Sequence, residues 1–365
     1  MIKTFKKTAL VSSLTLMSRV FGLIRDVLIA LLFGVSSQSD AFFIAFRPFD
    51  LMRKMFSEGI LNISFIPVFS NILVKDGKSN AASLLFSMFC FLTFAGTLMM
   101  LLGIIFAPFI LKIIAPGFVA ASYKSQLAIL LFKIMLPYLW LILMSSLCMG
   151  VLNTFGNFAI PGFAPVVFNL VVILFTLMIT NFFNTPVVGL ALGVTIGGVL
   201  QLAIQIPFII RLGILKASCF AGFNFGFHPK LIKILTIMIP SMIGAASYQI
   251  NIMVASFFAS KLDTGSISSL YYADRLVQFP LALFAVSTAM VLLPELSKKT
   301  AAGQIHEIAH LFSNAVRLVF FVTIPAMAGL MALDEQIVSL LFNHGAFSDS
   351  AVQYTSSCLF FLCMG

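Results

Sequence analysis

The sequence predicts an all-α polytopic membrane protein. Three observations carry that fold class. Charged residues make up 9% of the 365 positions and apolar types 61%, the mean hydropathy is +1.10, and long apolar runs follow one another along the chain. Soluble domains carry about a quarter of their residues as Asp, Glu, Lys or Arg. A water-facing surface for a chain of this length needs polar groups that the sequence does not have.

A spanning helix needs about 20 mostly apolar residues. Runs that satisfy this fall at 8–34, 40–72, 81–115, 125–152, 160–182, 186–210, 231–259, 267–296 and 306–333. A further run begins near Ala351 and is still apolar at Gly365. The opening Met1-Ile2-Lys3-Thr4-Phe5-Lys6-Lys7 imitates a secretory signal. The run behind it lacks a small-residue cleavage site and outlasts a signal's apolar core, so it reads as a retained helix. Pro137, Pro207, Pro240, Pro280 and Pro325 interrupt the runs. Membranes tolerate such breaks where protein or a water-filled cavity satisfies the freed backbone groups.

The net charge of +10 does not describe a nucleic-acid binder, because the cations sit in short gaps between apolar runs or alone inside them rather than on one solvated face. They describe topology instead. With the N-terminus inside, Lys3, Lys6, Lys7, Lys75, Lys78, Arg211, Lys216, Lys230, Lys298 and Lys299 are cytoplasmic. Lys124 and Lys261, with Lys112 near a helix end, fall outside.

Cys90, Cys148, Cys219, Cys358 and Cys363 form no CxxC pair and read as small buried side chains. His228, His306, His310 and His344 lie in loops or near span ends and read as polar surface residues. Neither a GxxxxGK[ST] loop nor an HExxH pair occurs. The chain is therefore expected to use no cofactor and to draw energy from an ion gradient, the membrane potential or substrate concentration.

The chain also repeats itself at a spacing of about 227 residues, as carriers built of two similar bundles do. Phe65-Ile66-Pro67-Val68-Phe69-Ser70 aligns with Leu292-Leu293-Pro294-Glu295-Leu296-Ser297. Arg47 falls on Asp274 or Arg275, and the Ala115-Pro116-Gly117-Phe118 turn falls near Asn343-His344-Gly345-Ala346. Helix two maps on helix eight, so the repeat is parallel. The expected architecture is two pseudo-repeated helix bundles meeting at a cleft, residues 1–220 and 221–365, the second cut short.

Ionisable residues inside spans mark pathways and binding sites. The first two runs hold Arg19, Arg25, Asp26, Asp40, Arg47, Asp50, Arg53, Lys54 and Glu58; elsewhere Lys133, Asp274, Arg275 and Arg317 stand out. Arg19 and Arg25 are about 240° and about 9 Å apart on a helix, off one stripe but able to border one wide cavity. Asp50 and Lys54, and Lys54 and Glu58, are four-residue pairs that can neutralise each other. Asp26 is expected to pair only weakly with its neighbour Arg25, since successive residues do not face each other. Asp50, Lys54 and Glu58 read equally well as helix-to-helix pairing or snorkelling at an interface. Arg19, Arg25, Arg53 and Arg275 outnumber the acids near them, and forked guanidinium donors in a semi-dry cleft suit a multivalent anion such as phosphate.

Several motifs taken together resemble one family. They are Ser18-Arg19-Val20 to Gly22, Arg25-Asp26, Ser39-Asp40-Ala41-Phe42-Phe43, Phe56-Ser57-Glu58-Gly59, Ala115-Pro116-Gly117-Phe118 and Tyr271-Tyr272-Ala273-Asp274-Arg275-Leu276. In order and spacing they resemble the MurJ (MviN) family of lipid II flippases, within the multidrug, oligosaccharidyl-lipid and polysaccharide exporter superfamily. The resemblance implies a central cationic cavity between two lobes that alternate access, and transport of undecaprenyl-pyrophosphate-linked peptidoglycan precursor (lipid II) from the inner to the outer leaflet. It implies a bacterial cytoplasmic membrane location, no enzymatic chemistry, lipid II and membrane lipid as partners, no nucleic acid, and cell-wall synthesis proteins as further candidate partners.

Residue by residue, the resemblance assigns substrate binding to Arg19, Arg25, Arg53 and Arg275. It assigns gate acids to Asp26 and Asp40, and matched basic positions to Arg47 and Lys54, with Glu58 and Asp274 as further gating or ion-pair residues. Family members have fourteen helices, the last two forming a groove for the lipid tail, whereas this chain ends within its tenth run. Transport by this length of chain alone is therefore not expected. The alternatives are a cation-coupled drug or polysaccharide exporter, against which the arginine excess argues, and a membrane-embedded glycosyl- or phosphotransferase, which needs an acidic metal-holding loop the sequence lacks.

Overall fold

The computed structural model describes residues 2–56, 60–120, 122–178, 182–214, 228–281, 292, 299 and 304–364. Every regular element among them is helical. Helix α1 is Ile2–Phe33, α2 Ser37–Met55, α3 Leu61–Lys75, α4 Gly77–Ile114, α5 Ser122–Met135, α6 Pro137–Thr154 and α7 Ala159–Met178. Then come α8 Val187–Ala203, α9 Ile206–Arg211, α10 Lys230–Ala259, α11 Ser266–Pro280, α12 Ile305–Ala332, α13 Asp334–Phe342 and α14 Asp349–Met364.

The apolar runs are thus helices throughout their described residues, with differences that charge and proline explain. The described residues of the run 40–72 are α2 and α3 with the π-helical Phe56 and Ile60 between them. Glu58, between them, lies outside the described residues, as do Cys219 and all but Leu292 of the second repeat segment 292–297. Pro137 and Pro207 open α6 and α9, whereas Pro240 and Pro325 sit inside α10 and α12. A proline cannot donate the bond its helix needs. Beside Pro137, the Thr195 hydroxyl of α8 donates to the Ile134 carbonyl at 2.9 Å, the kind of neighbouring partner that lets a break persist in lipid.

Among the described residues, five helical segments are long and apolar enough to cross a bilayer: Gly77–Ile114, Tyr123–Thr154, Ala159–Met178, Val187–Arg211 and Glu307–Ala332. The bent pair Lys230–Gly244 and Gln249–Ala259 makes a sixth. The charges of α1 and α2 keep them out of that set, although both are helical. The exposed face of α4 carries Phe94, Leu101, Ile105, Phe106, Phe109 and Ile113. Lipid, not water, is the solvent that such a face fits.

Two compact units make up the chain: Met1–Leu28 with Ser37–Asp263, and Ile29–Ser36 with Thr264–Gly365. In the first, Phe65, Phe69, Leu84, Met88, Leu147 and Ile234 form one apolar core drawn from α3, α4, α6 and α10. In the second, Tyr272 of α11, Phe342 of α13 and Phe347 pack with ring centroids 5.1, 5.7 and 5.8 Å apart.

These units do not divide at residue 220 as the sequence bundles do, and a reciprocal seating accounts for the difference. In the first unit the Ala115–Phe118 turn rests on the end of α10: the Gly117 N–H donates to Ser260 Oγ at 3.2 Å, and a Cβ on Gly117 would fall 1.8 Å from the Ser260 carbonyl oxygen. In the second unit the Asn343–Ala346 turn rests on the end of α1. The Ala346 N–H donates to the Leu31 carbonyl at 2.8 Å, and a Cβ on Gly345 would fall 2.4 Å from the same oxygen. The two turns that align in the sequence repeat therefore make the same kind of contact. Each exchange draws a helix end into the unit opposite to the one its sequence position suggests.

Candidate functional site

Helix α1 brings Arg25 and Asp26 into the interior of the first unit, 9% and 2% exposed. Arg25 donates from Nε and Nη2 to Asp26 Oδ1 at 3.0 and 2.8 Å, and from Nη1 to Asn169 Oδ1 of α7 at 3.0 Å. The expectation of a weak neighbour pair is thereby corrected. Adjacent residues do not face each other across a helix, but a long guanidinium arm folds back to a short carboxylate once burial leaves neither with water. Asn169 in turn donates to the Ser18 carbonyl at 3.1 Å, tying α7 to α1 beside Arg19, which is half-buried.

Helix α2 carries the second group. Asp40, Arg47 and Lys54 recur every seven residues and so share one stripe with about 20° of drift per step. Asp50 is 3% exposed and receives two cations at once: Arg53 Nη2 lies 2.8 Å from Oδ1 and Lys54 Nζ 3.1 Å from Oδ2. The Asp50–Lys54 pair is as the spacing predicts. The Lys54–Glu58 pair falls outside the described residues. At the other end of α2, Asp40 is 1% exposed and pairs with Lys124 of α5 at 3.2 Å, while the same ammonium stands 5.1 Å over the Phe118 ring. Arg47 is buried between these ends.

Arg275 and Asp274 lie on α11 in the second unit. Arg275 donates from Nη2 to the Tyr271 hydroxyl at 2.7 Å, with its guanidinium carbon 4.6 Å from that ring's centroid. Asp274 accepts from Gln278 one turn on. Of the sequence-expected residues, Arg19, Arg25, Asp26, Asp40, Arg47, Arg53 and Lys54 thus belong to the first unit, and Asp274 and Arg275 to the second.

The electrostatics are those of paired but cation-rich ground. One carboxylate serves Arg53 and Lys54 together, so two cations meet one buried acid there. A buried pair is costly to break, by about 3–5 kcal/mol when one partner is removed, so these charges are held in place rather than loosely solvated. Sequence reading left out Asn169 and Lys124 as partners. Asn169 is the lone amide within α7, a signal that was available. Lys124 lies 84 positions from Asp40, and no local spacing joins them. Among the described residues, no group of three or more His, Cys, Asp or Glu is placed to hold a metal ion.

Residues 29–365 match the family model described as lipid II flippase MurJ. A protein of Vibrio cholerae described as a probable lipid II flippase MurJ is 37% identical over 361 residues, covering 97% of this chain and 68% of that protein. A solved structure of lipid II flippase MurJ in an inward closed conformation superposes with a TM-score of 0.83 at 29% identity, covering 98% of this chain and 72% of that one. An inward-facing multidrug transporter of the MATE family, 14% identical with a TM-score of 0.75, covers 98% of this chain and 82% of its own and shares the fold.

Proposed function

Because the chain belongs to the MurJ family of lipid II flippases, we propose that it takes part in moving lipid II from the inner to the outer leaflet of the bacterial cytoplasmic membrane by alternating access, without covalent chemistry. Its N-terminus faces the cytoplasm in this reading, and cell-wall synthesis proteins are its neighbours. Arg19, Arg25, Arg53 and Arg275 hold the pyrophosphate and headgroup. Asp26 and Asp40, with Arg47, Lys54, Glu58 and Asp274, set the ion pairs that open and close the path.

The observation that carries the substrate assignment is the shared carboxylate. Arg53 and Lys54 divide one buried Asp50 between them, and a pyrophosphate offers both cations oxygens without leaving either bare. Chloride, a single spherical ion, has no pair of oxygens to meet a guanidinium fork.

The test is the full-length protein in a bacterium depleted of its own flippase. Arg25→Ala or Arg53→Ala should abolish growth at unchanged membrane levels, and Lys at either position should restore only part of it, since an ammonium lacks the planar fork. Full growth on Arg53→Ala would remove the shared carboxylate from the substrate site.

A further inference from the structure

We propose that a hollow between α4 and α5 is a binding site for an anionic membrane phospholipid, its phosphate held at Lys112 and its acyl chains lying along the exposed face of α4. The inference does not depend on which anion the charges of α1, α2 and α11 hold.

The hollow has a volume of about 300 Å³, and Pro108 and Lys112 of α4, Phe118 of the connecting turn, and Ser125, Gln126 and Ile129 of α5 belong to its lining. Pro108, Lys112 and Gln126 are exposed, so it opens on the surroundings of the helices. On α4, the exposed residues Ile105, Pro108, Phe109, Lys112 and Ile113 recur at i, i+3, i+4, i+7 and i+8, the pattern of one helix face. An apolar stripe thus carries a cation beside a hollow.

Helix α5 adds a second cation. Lys133 is exposed and stands four residues, or about one turn, beyond Ile129. A helical side chain covers the turn N-terminal to its own Cα, which for Lys133 is the turn of Ile129. Neither Lys112 nor Lys133 has an ion-pair or hydrogen-bond partner among the described residues. Sequence neighbours offer none: between Asp76 and Asp263 there are nine Lys and Arg and no Asp or Glu. Lys124, on the same helix, has Asp40. A cation on a lipid-facing helix is costly without a counter-charge, and for these two the anion has to come from outside the chain.

The surroundings specify the chemistry of that anion. The ammonium groups call for negative charge, the Ser125 hydroxyl and the Gln126 amide can donate to phosphate oxygens, and the apolar face of α4 fits hydrocarbon. An anionic phospholipid meets all three at once. Free phosphate would leave the stripe uncovered, and a zwitterionic headgroup would bring a cation of its own toward Lys112.

The experiment measures, by native mass spectrometry of the purified chain in detergent, binding of phosphatidylglycerol and of phosphatidylcholine with the same acyl chains. Phosphatidylglycerol should bind at least about tenfold more tightly, the worth of one hydrogen bond to a charged group. Lys112→Gln should abolish that preference, Lys112→Arg should keep it and Lys133→Gln should weaken it. Lys233→Gln, exposed on α10 and outside the hollow, should leave it unchanged. No preference in the unaltered chain overturns the inference, and so does a preference that survives Lys112→Gln. An equal loss in Lys233→Gln overturns it too, because the lipid would then be following overall charge. Displacement of phosphatidylglycerol by millimolar glycerol 3-phosphate would make the soluble headgroup sufficient and exclude a lipid as the specific occupant. Should the glutamine variants fail to fold, Ile113→Trp in a Trp140→Phe background replaces them, Trp140 being the single tryptophan of the chain. Its fluorescence should be quenched more by phosphatidylglycerol with brominated acyl chains than by the matching phosphatidylcholine at equal mole fraction, and equal quenching overturns the inference.

Discussion

Replacing Gly34 by Ala should free the end of α1 from its seat. Gly34 has φ +55°, and a Cβ there would stand 2.1 Å from the Ala346 carbonyl oxygen and 2.7 Å from its carbon. Both obstacles are backbone and cannot swing aside. A side chain in the left-handed region costs about 1–2 kcal/mol. Displacing the turn also strains the bond from the Ala346 N–H to the Leu31 carbonyl, worth about 1 kcal/mol net. The sum, about 2–3 kcal/mol, shifts the seated population by about 30- to 150-fold. Gly77 is the control: its φ is +80° but nothing lies within 4 Å of an added Cβ, so Gly77→Ala bears the conformational part without the clash. The assay is the rate at which a water-soluble maleimide labels a cysteine at Val35, which packs against Gly265, with the native cysteines replaced. Gly34→Ala should raise that rate at least tenfold, and Gly77→Ala should leave it alone. Equal rates in the two variants would show that the turn does not hold the end of α1.

Lys124→Met alone should lower thermal stability by about 3–5 kcal/mol by taking the ammonium away from the buried Asp40 carboxylate. Adding Asp40→Leu should recover most of the loss, and a double variant no better than the single would refute the pairing. Asn169→Leu should deprive Arg25 Nη1 of its acceptor and cost about 1.5–3 kcal/mol, measured by denaturation in detergent. His228, before α10, is held below the usual 6.5 by its burial and then by Lys230, against an opposing pull from Asp76. The folded chain therefore binds fewer protons than the unfolded one there, so stability is full above 6.5 and falls as pH drops through the depressed value. Protonation also removes the Nδ1 acceptor of the Lys230 N–H, and a loss of that amide's protection relative to its intrinsic exchange rate as pH drops through the depressed value, absent in His228→Ala, is the measurement. A cysteine at Asp263 should react with an impermeant reagent from outside and one at Lys78 only after permeabilisation; the reverse pattern would invert the topology.

The helical membrane architecture was legible without coordinates because lipid leaves a chain little choice. Every backbone group must be satisfied within its own helix, so a run such as 81–115 announces α4 by composition alone. The charged positions on α1, α2 and α11 were equally visible, since an ionisable group is conspicuous where the surroundings are apolar. What composition cannot supply is the identity of each partner.

The pairing of Asp40 with Lys124 spans 84 positions and that of Arg25 with Asn169 spans 144. Neither follows from helical periodicity, which relates residues only to those one or two turns away. Arg25 with Asp26 is the reverse case: periodicity advised against the pair, and burial overruled it, because two charges removed from water bond to whatever lies within reach. The exchange of helix ends between the two units was likewise beyond the sequence. The repeat aligned the turns at 115–118 and 343–346, but only packing decided that each rests on a helix from the other half of the chain, where the absence of a Cβ lets backbone meet backbone.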